Sequence, residues 1–143
     1  MGRILAIDYG LKRVGLAVTD PLQMIASPLT TVPATSVLDF VMSYIQQEAI
    51  TLCVIGFPAD LKHKEAPIIT AIKQFMATLK EKIPHLEIVP QDERYTSQLA
   101  VASLVEGGFK KKDRRKKENI DKISATIILQ SFLRVNTHNS HQV

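Results

Sequence analysis

Acidic residues at three places in the chain have the type and setting to carry chemistry. Asp8 follows the apolar run Ile4–Ile7 in "RILAIDYGLKRVGLAVTD", at the carboxyl end of what reads as a buried strand. An isolated charge there is costly to desolvate unless it is paired, solvated or bound to metal. Asp92 and Glu93 stand in "PQDERYTS", just past another short apolar run, with Arg94 beside them. Asp121 lies near the start of a candidate helix with Asn119 as a possible N-cap, a position where the helix dipole favours a carboxylate whatever its task. Each has a plain structural reading: a turn aspartate, a solvated charged loop and a helix-start acid. Brought together, three carboxylates form a hard oxygen-ligand site suited to Mg²⁺ or Mn²⁺. Holding one ion, or two about 4 Å apart, such a site activates water and stabilises the leaving oxygen of a phosphodiester.

Cations and glycine accompany these acids. Gly10 permits close backbone approach to a phosphate or a tight turn, and Lys12 and Arg13 follow it as phosphate contacts or as an exposed turn. Arg94 can meet a phosphate through its planar fork or orient a neighbouring acid. The segment "FKKKDRRKKE", Phe109 to Glu118, carries seven of the chain's 18 Lys and Arg residues: Lys110, Lys111, Lys112, Arg114, Arg115, Lys116 and Lys117. With two acids its charge is +5, against +4 for the whole chain, so the remaining 133 residues sum to −1. A near-neutral body with one concentrated basic segment points to a polyanion contact, nucleic acid above all.

Other chemistries lack their residues. His63, His85, His138 and His141 are scattered, and none stands at zinc-ligand spacing with Cys53. Cys53, the single cysteine, lies in "TLCVIG" as a small buried hydrophobe. No Walker loop, dinucleotide fingerprint or nucleophile elbow occurs.

The elements that must position the acids follow from periodicity. "ILAI" and "VGLAVT" read as two strands joined by a turn too short for a helical crossover, hence antiparallel. "IASPLTTV" completes a meander, with Pro28 assigning it to a sheet edge. Val37, Phe40, Val41, Tyr44 and Ile45 mark a helix that Thr35 or Ser36 could cap. "LCVIGFP" is a buried strand, Ile68 to Leu79 a second helix and "LEIVP" a further strand. A third helix is expected from Thr96 or Ser97 through Leu99, Ala102 and Val105, stopped by Gly107 and Gly108. A last helix is expected from about Ile120 to Leu133, leaving "NTHNSHQV" as a frayed tail. Strands joined by helices prefer parallel pairing, so strands one, four and five should run together beside the meander. Asp8 and the acids after strand five then share the carboxyl edge of the sheet, where α/β folds place ligands. Ser124 and Ala125, small residues on the last helix, allow close packing that brings Asp121 near Asp8.

At 143 residues the chain suits one domain. It has no apolar stretch long enough for a bilayer span, and "MGRILA" matches neither a secretory signal nor the Gly2 acylation pattern. A cytoplasmic protein without a membrane role is expected.

Taken together, "AIDYGLKRVGLAVTDP", "IASPL", "VIGFP", "DERYTS", "KKKDRRKK" and "NIDKISATIILQSFL" resemble, along nearly the whole chain, the bacterial YqgF family. Its members are described as nucleases of pre-16S ribosomal RNA or as Holliday junction resolvases. The resemblance implies a ribonuclease H-like α/β fold, a five-stranded mixed sheet of antiparallel meander plus parallel strands flanked by helices. The nuclease domain would span residues 1–135, with 136–143 a flexible tail. It also implies metal-binding catalytic acids at Asp8, Glu93 and Asp121, selecting Glu93 over Asp92. One loop departs: where the family carries a short glycine-containing loop resembling "MDGSEG", this chain has "ADLKHKEAP", Ala59 to Pro67, with Lys62, His63 and Lys64 adding charge. Tyr95 stands where leucine is common.

The function implied is a Mg²⁺- or Mn²⁺-dependent endonuclease maturing the 5′ end of small-subunit ribosomal RNA, with a ribosomal particle as a possible partner. A first rival keeps the chemistry and takes a four-way DNA junction, whose two-fold symmetry favours a homodimer over a monomer. A second rival is a non-catalytic assembly or nucleic-acid-binding factor. Retention of all three acids opposes it, because a surface that only binds phosphate gains by losing them. A sugar-kinase or actin-like ATPase ordinarily needs two such domains, and the length supplies one.

Overall fold

The computed structural model describes residues 2–57, 67–92 and 117–140, with the side chains of 92, 117–122 and 136–140 outside that description. Alternation along the first strand organises the molecule. In β1 (Arg3–Tyr9), Leu5 and Ile7 pack into one apolar cluster and Ile4 and Ala6 into another, so the strand is buried on both faces. β2 (Arg13–Thr19) pairs antiparallel with β1, from Leu5 opposite Val18 to Tyr9 opposite Val14. β3 (Ala26–Pro33) pairs antiparallel with β2 and forms one edge of the sheet, the place expected for a strand carrying Pro28. β4 (Ile50–Phe57) runs parallel to β1, and β5 (Glu87–Asp92) parallel to β4. The order is β3-β2-β1-β4-β5, the mixed sheet that the sequence predicts.

Helices cover both faces. α1 (Val37–Gln47) and α2 (Pro67–Lys82) bury Val37, Val41, Ile72, Phe75 and Leu79 against Leu5, Ile7, Leu16 and Ile55. α3 (Lys117–Ser140) lays Ala125, Ile128, Leu129 and Phe132 on Ile4, Ala6, Ala17 and Val54. Alanines at 6, 17 and 125 let the helix backbone approach the sheet. Leu129 is fully buried in that contact, so Leu129→Ala is expected to cost about 2–5 kcal/mol, read as a lowered urea midpoint.

The helix ends differ from expectation in two places. Neither Thr35 nor Ser36 caps α1 through its side chain: both lie in a 3-10 turn, Ala34–Ser36, and Ser36 has ψ −5°, outside the extended conformation that lets a hydroxyl reach back. α3 continues past Leu133 to Ser140, because no glycine or proline follows to stop it once its apolar stripe ends. The helix expected through Leu99, Ala102 and Val105 lies outside the described residues, as does the stretch 59–66 of the departing loop.

At the end of β2 away from Asp8, the Asp20 carboxylate organises the turn into β3. Oδ1 accepts the backbone N–H groups of Met24 (2.9 Å) and Ile25 (2.7 Å), and Oδ2 accepts that of Leu22 (3.2 Å). Gln23 has a left-handed φ of 59°, and its side-chain amide donates to the Gly2 carbonyl at 2.7 Å. The hydrogen bond from Ile25, the strongest influence, and those from its neighbours hold the Asp20 carboxyl below the usual carboxylate range. A carboxyl lowered on folding contributes stability above its unfolded value and loses it as pH falls through the folded one. Asp20→Ala should therefore speed hydrogen exchange at Met24 and Ile25 at neutral pH, and wild type should approach the variant in acid.

Candidate active site

Asp8 stands next to last in β1, half-buried, in step with Ile4 and Ala6. Strand alternation therefore places it on the face that α3 covers. Its antiparallel partner across the hairpin is Gly15. On the other side, one residue beyond the Ile7–Ile55 pair, the parallel strand supplies Gly56. Gly15 alternates with Ala17, and Gly56 with Val54, so both fall on the α3 face as Asp8 does. The carboxylate is thus flanked along the sheet by two positions without side chains. Sequence reasoning missed both glycines in this role: the hairpin register signals Gly15, but Gly56 depends on a long-range register that no local pattern reveals.

The carboxyl ends of β1, β4 and β5 lie at one edge, with Gly56 opposite Gln91 and Phe57 opposite Asp92. β5 thus delivers the chain to that edge at Asp92, the residue before Glu93. Glu93 and Arg94 themselves lie outside the described residues. Position 121 belongs to α3 and falls on the stripe of Ala125, Ile128 and Phe132 at helical spacing, one turn before Ala125. Among the described residues no three His, Cys, Asp or Glu side chains gather as an alternative metal centre. Burial pushes the Cys53 thiol up to about 12, which keeps it protonated and inert at neutral pH.

The β1–β2 turn closes the same edge. A Cβ at Gly10 would collide with the Arg13 carbonyl oxygen, so close approach, not a left-handed backbone angle, requires glycine there. The Lys12 carbonyl accepts the Ala34 N–H at 2.9 Å, which ties the turn to the end of β3. Lys12 is exposed, and Arg13 is half-buried at the start of β2. Tyr9, on the opposite face from Asp8, packs its ring against Phe75 with centroids 5.1 Å apart, anchoring the strand end beneath the site. Of the basic segment, Lys110–Lys112 and Arg114–Lys116 lie outside the described residues, and Lys117 opens α3.

This donor chemistry fits a hard divalent cation. Asp8 offers carboxylate oxygen at a sheet edge, and a Cβ at either neighbouring position would narrow the space beside it. No helix among the described residues is long and apolar enough to cross a membrane.

The chain is similar to known proteins along nearly its whole length. A family model described as "RuvX: Holliday junction resolvase" matches residues 2–135. A protein of Amoebophilus asiaticus named "Putative pre-16S rRNA nuclease" is 65% identical over 133 residues, 93% of this chain and 94% of its own length. A protein of the same name from Phocaeicola vulgatus is 49% identical over 93% of this chain and 96% of its own. Among solved structures, Thermus thermophilus RuvC in complex with a Holliday junction substrate superposes with TM-score 0.61 at 14% identity, covering 96% of this chain and 98% of that one. At that identity the likeness concerns the fold, which is ribonuclease H-like.

Proposed function

The chain belongs to the RuvX family, and from that premise we propose that it is a divalent-metal-dependent endonuclease that processes the 5′ end of pre-16S ribosomal RNA in the cytoplasm. The observation that carries this reading is the setting of Asp8. A carboxylate at the carboxyl edge of the parallel strands, with glycines on both sides, is suited to holding a cation against a phosphodiester, and a relative 65% identical bears the nuclease name.

In the proposed site Asp8, Glu93 and Asp121 hold one or two Mg²⁺ or Mn²⁺ ions. The bound metal would supply Lewis-acid stabilisation of charge on the phosphodiester and activation of water. Asp8 is positioned for this by a strand buried on both faces, which fixes its backbone. Lys12, at the exposed turn, neutralises phosphate on the substrate strand, with Arg13 and Arg94 joining it. Gly10 keeps the turn compact enough for backbone to approach that strand. The basic segment from Lys110 to Lys117 grips nucleic acid beyond the cut. Phosphate contacts of this kind position a substrate without reading its sequence.

A second reading, resolution of a four-way DNA junction, is favoured by the matching family's description. It would use the same residues in a homodimer, whereas a monomer suffices for RNA processing on a ribosomal particle. Assaying the purified protein with Mg²⁺ or Mn²⁺ on precursor RNA and on a four-way junction separates the two. RNA cleavage is the expected result. Paired symmetric nicks in the junction, with the RNA intact, would overturn the preference.

A further inference from the structure

Leu11 stands at the tip of the β1–β2 turn with 59% of its surface exposed. A lone exposed leucine is ordinary on a protein surface, but its setting distinguishes this one. The side chain belongs to neither apolar cluster, so the fold makes little use of it. The turn that presents it is nonetheless tied down, by the Ala34 N–H on the Lys12 carbonyl, by the pairing of Arg13 with Pro33 and by the tight packing at Gly10. It lies three residues from Asp8 at the same sheet edge, with exposed Lys12 next in the chain. Leu22, Met24 and Ile25, also exposed, sit instead in the turn at the other end of β2.

We propose that Leu11 is a wedge that packs against an unpaired nucleobase of the strand being cut. The inference rests on the nuclease reading and extends it to the kind of nucleotide the site accepts. A nucleic acid strand alternates anionic phosphate with apolar base face. An apolar side chain followed by a cation on a fixed turn matches that alternation. Apolar side chains held in this way enter between bases and unstack them, and a base face is available to them only where pairing and stacking are absent or broken. Leu11 thereby favours single-stranded or locally opened substrate, selecting for structure and not for sequence.

The test uses the full chain and a set of short single-stranded RNAs in which the fluorescent analogue 2-aminopurine replaces each adenine in turn, together with the corresponding duplexes. Wild type should change the fluorescence at one position. Leu11→Ala should abolish that change and weaken single-strand binding about tenfold, the value of burying a leucine that water otherwise covers. Duplex binding and the salt dependence should stay as in wild type, because no phosphate contact is lost. Leu11→Met, which keeps the apolar volume, should restore both signals. Equal weakening on single strand and duplex, or a fluorescence change that survives in Leu11→Ala, would overturn the wedge. Cleavage by wild type without any fluorescence change would overturn the wedge and leave the nuclease reading standing. A wild type that neither binds nor cleaves RNA would remove both.

Discussion

Asp8→Asn is expected to abolish Mg²⁺- or Mn²⁺-dependent cleavage while the protein stays folded. Asparagine matches aspartate in shape but lacks the charge that a hard cation requires. Loss of a group that merely supports a metal ligand costs about 10–100-fold, so loss of a proposed ligand should exceed about a hundredfold in rate. β1 is buried on both faces through Ile4, Leu5, Ala6 and Ile7, and asparagine keeps the size and shape of the side chain it replaces. The variant's thermal midpoint and its binding to RNA should therefore stay near wild type. The measurement is single-turnover cleavage of precursor RNA across a metal titration, beside a melting curve. Cleavage at the wild-type rate by a folded Asp8→Asn protein would mean that the site lies elsewhere.

A second large effect is expected from the basic segment. If its seven cations each neutralise one phosphate of a single strand, the logarithm of affinity should fall against the logarithm of salt with a slope of about −5. Raising salt from about 50 to about 200 mM then weakens binding roughly a thousandfold. Replacing Lys110, Lys111 and Lys112 with alanine removes three contacts and reduces the slope to about −3, so the same change of salt costs only roughly sixtyfold. Fluorescence anisotropy with a labelled RNA over a salt series reads both slopes. Identical slopes would show that the segment does not touch the strand.

Much of the architecture is legible in local pattern. Two apolar runs with a turn between them dictate a hairpin, and Pro28 sends its strand to the edge where the structure has it. Asp8 announces itself because a charge ends an otherwise apolar strand. The face that Asp8 takes is less visible. It follows from which of Ile4 and Leu5 meets α3, a matter of packing between segments distant in sequence. Gly56 as a neighbour of Asp8 is hidden for the same reason, since the β1–β4 register also shifts between Arg3 and Ile4. The end of α3 escapes notice because its apolar stripe stops before its hydrogen bonding does. Ser36 misleads because the 3-10 turn before α1 takes it out of capping geometry.

The covering of the first strands by the last helix also sets an order of events during synthesis. Ala125 follows Ala6 by 119 positions, yet the two pack together. At roughly 5–20 residues per second, the hairpin of β1 and β2 leaves the ribosome about 6–24 s before the helix that will cover it. Through that interval Ile4, Ala6 and Ala17 present a bare apolar surface, a natural client for a chaperone. Asp8 meanwhile waits without the segment that carries Asp121. On the proposed role, the nascent chain lacks one of its three acids until residue 121 has been made.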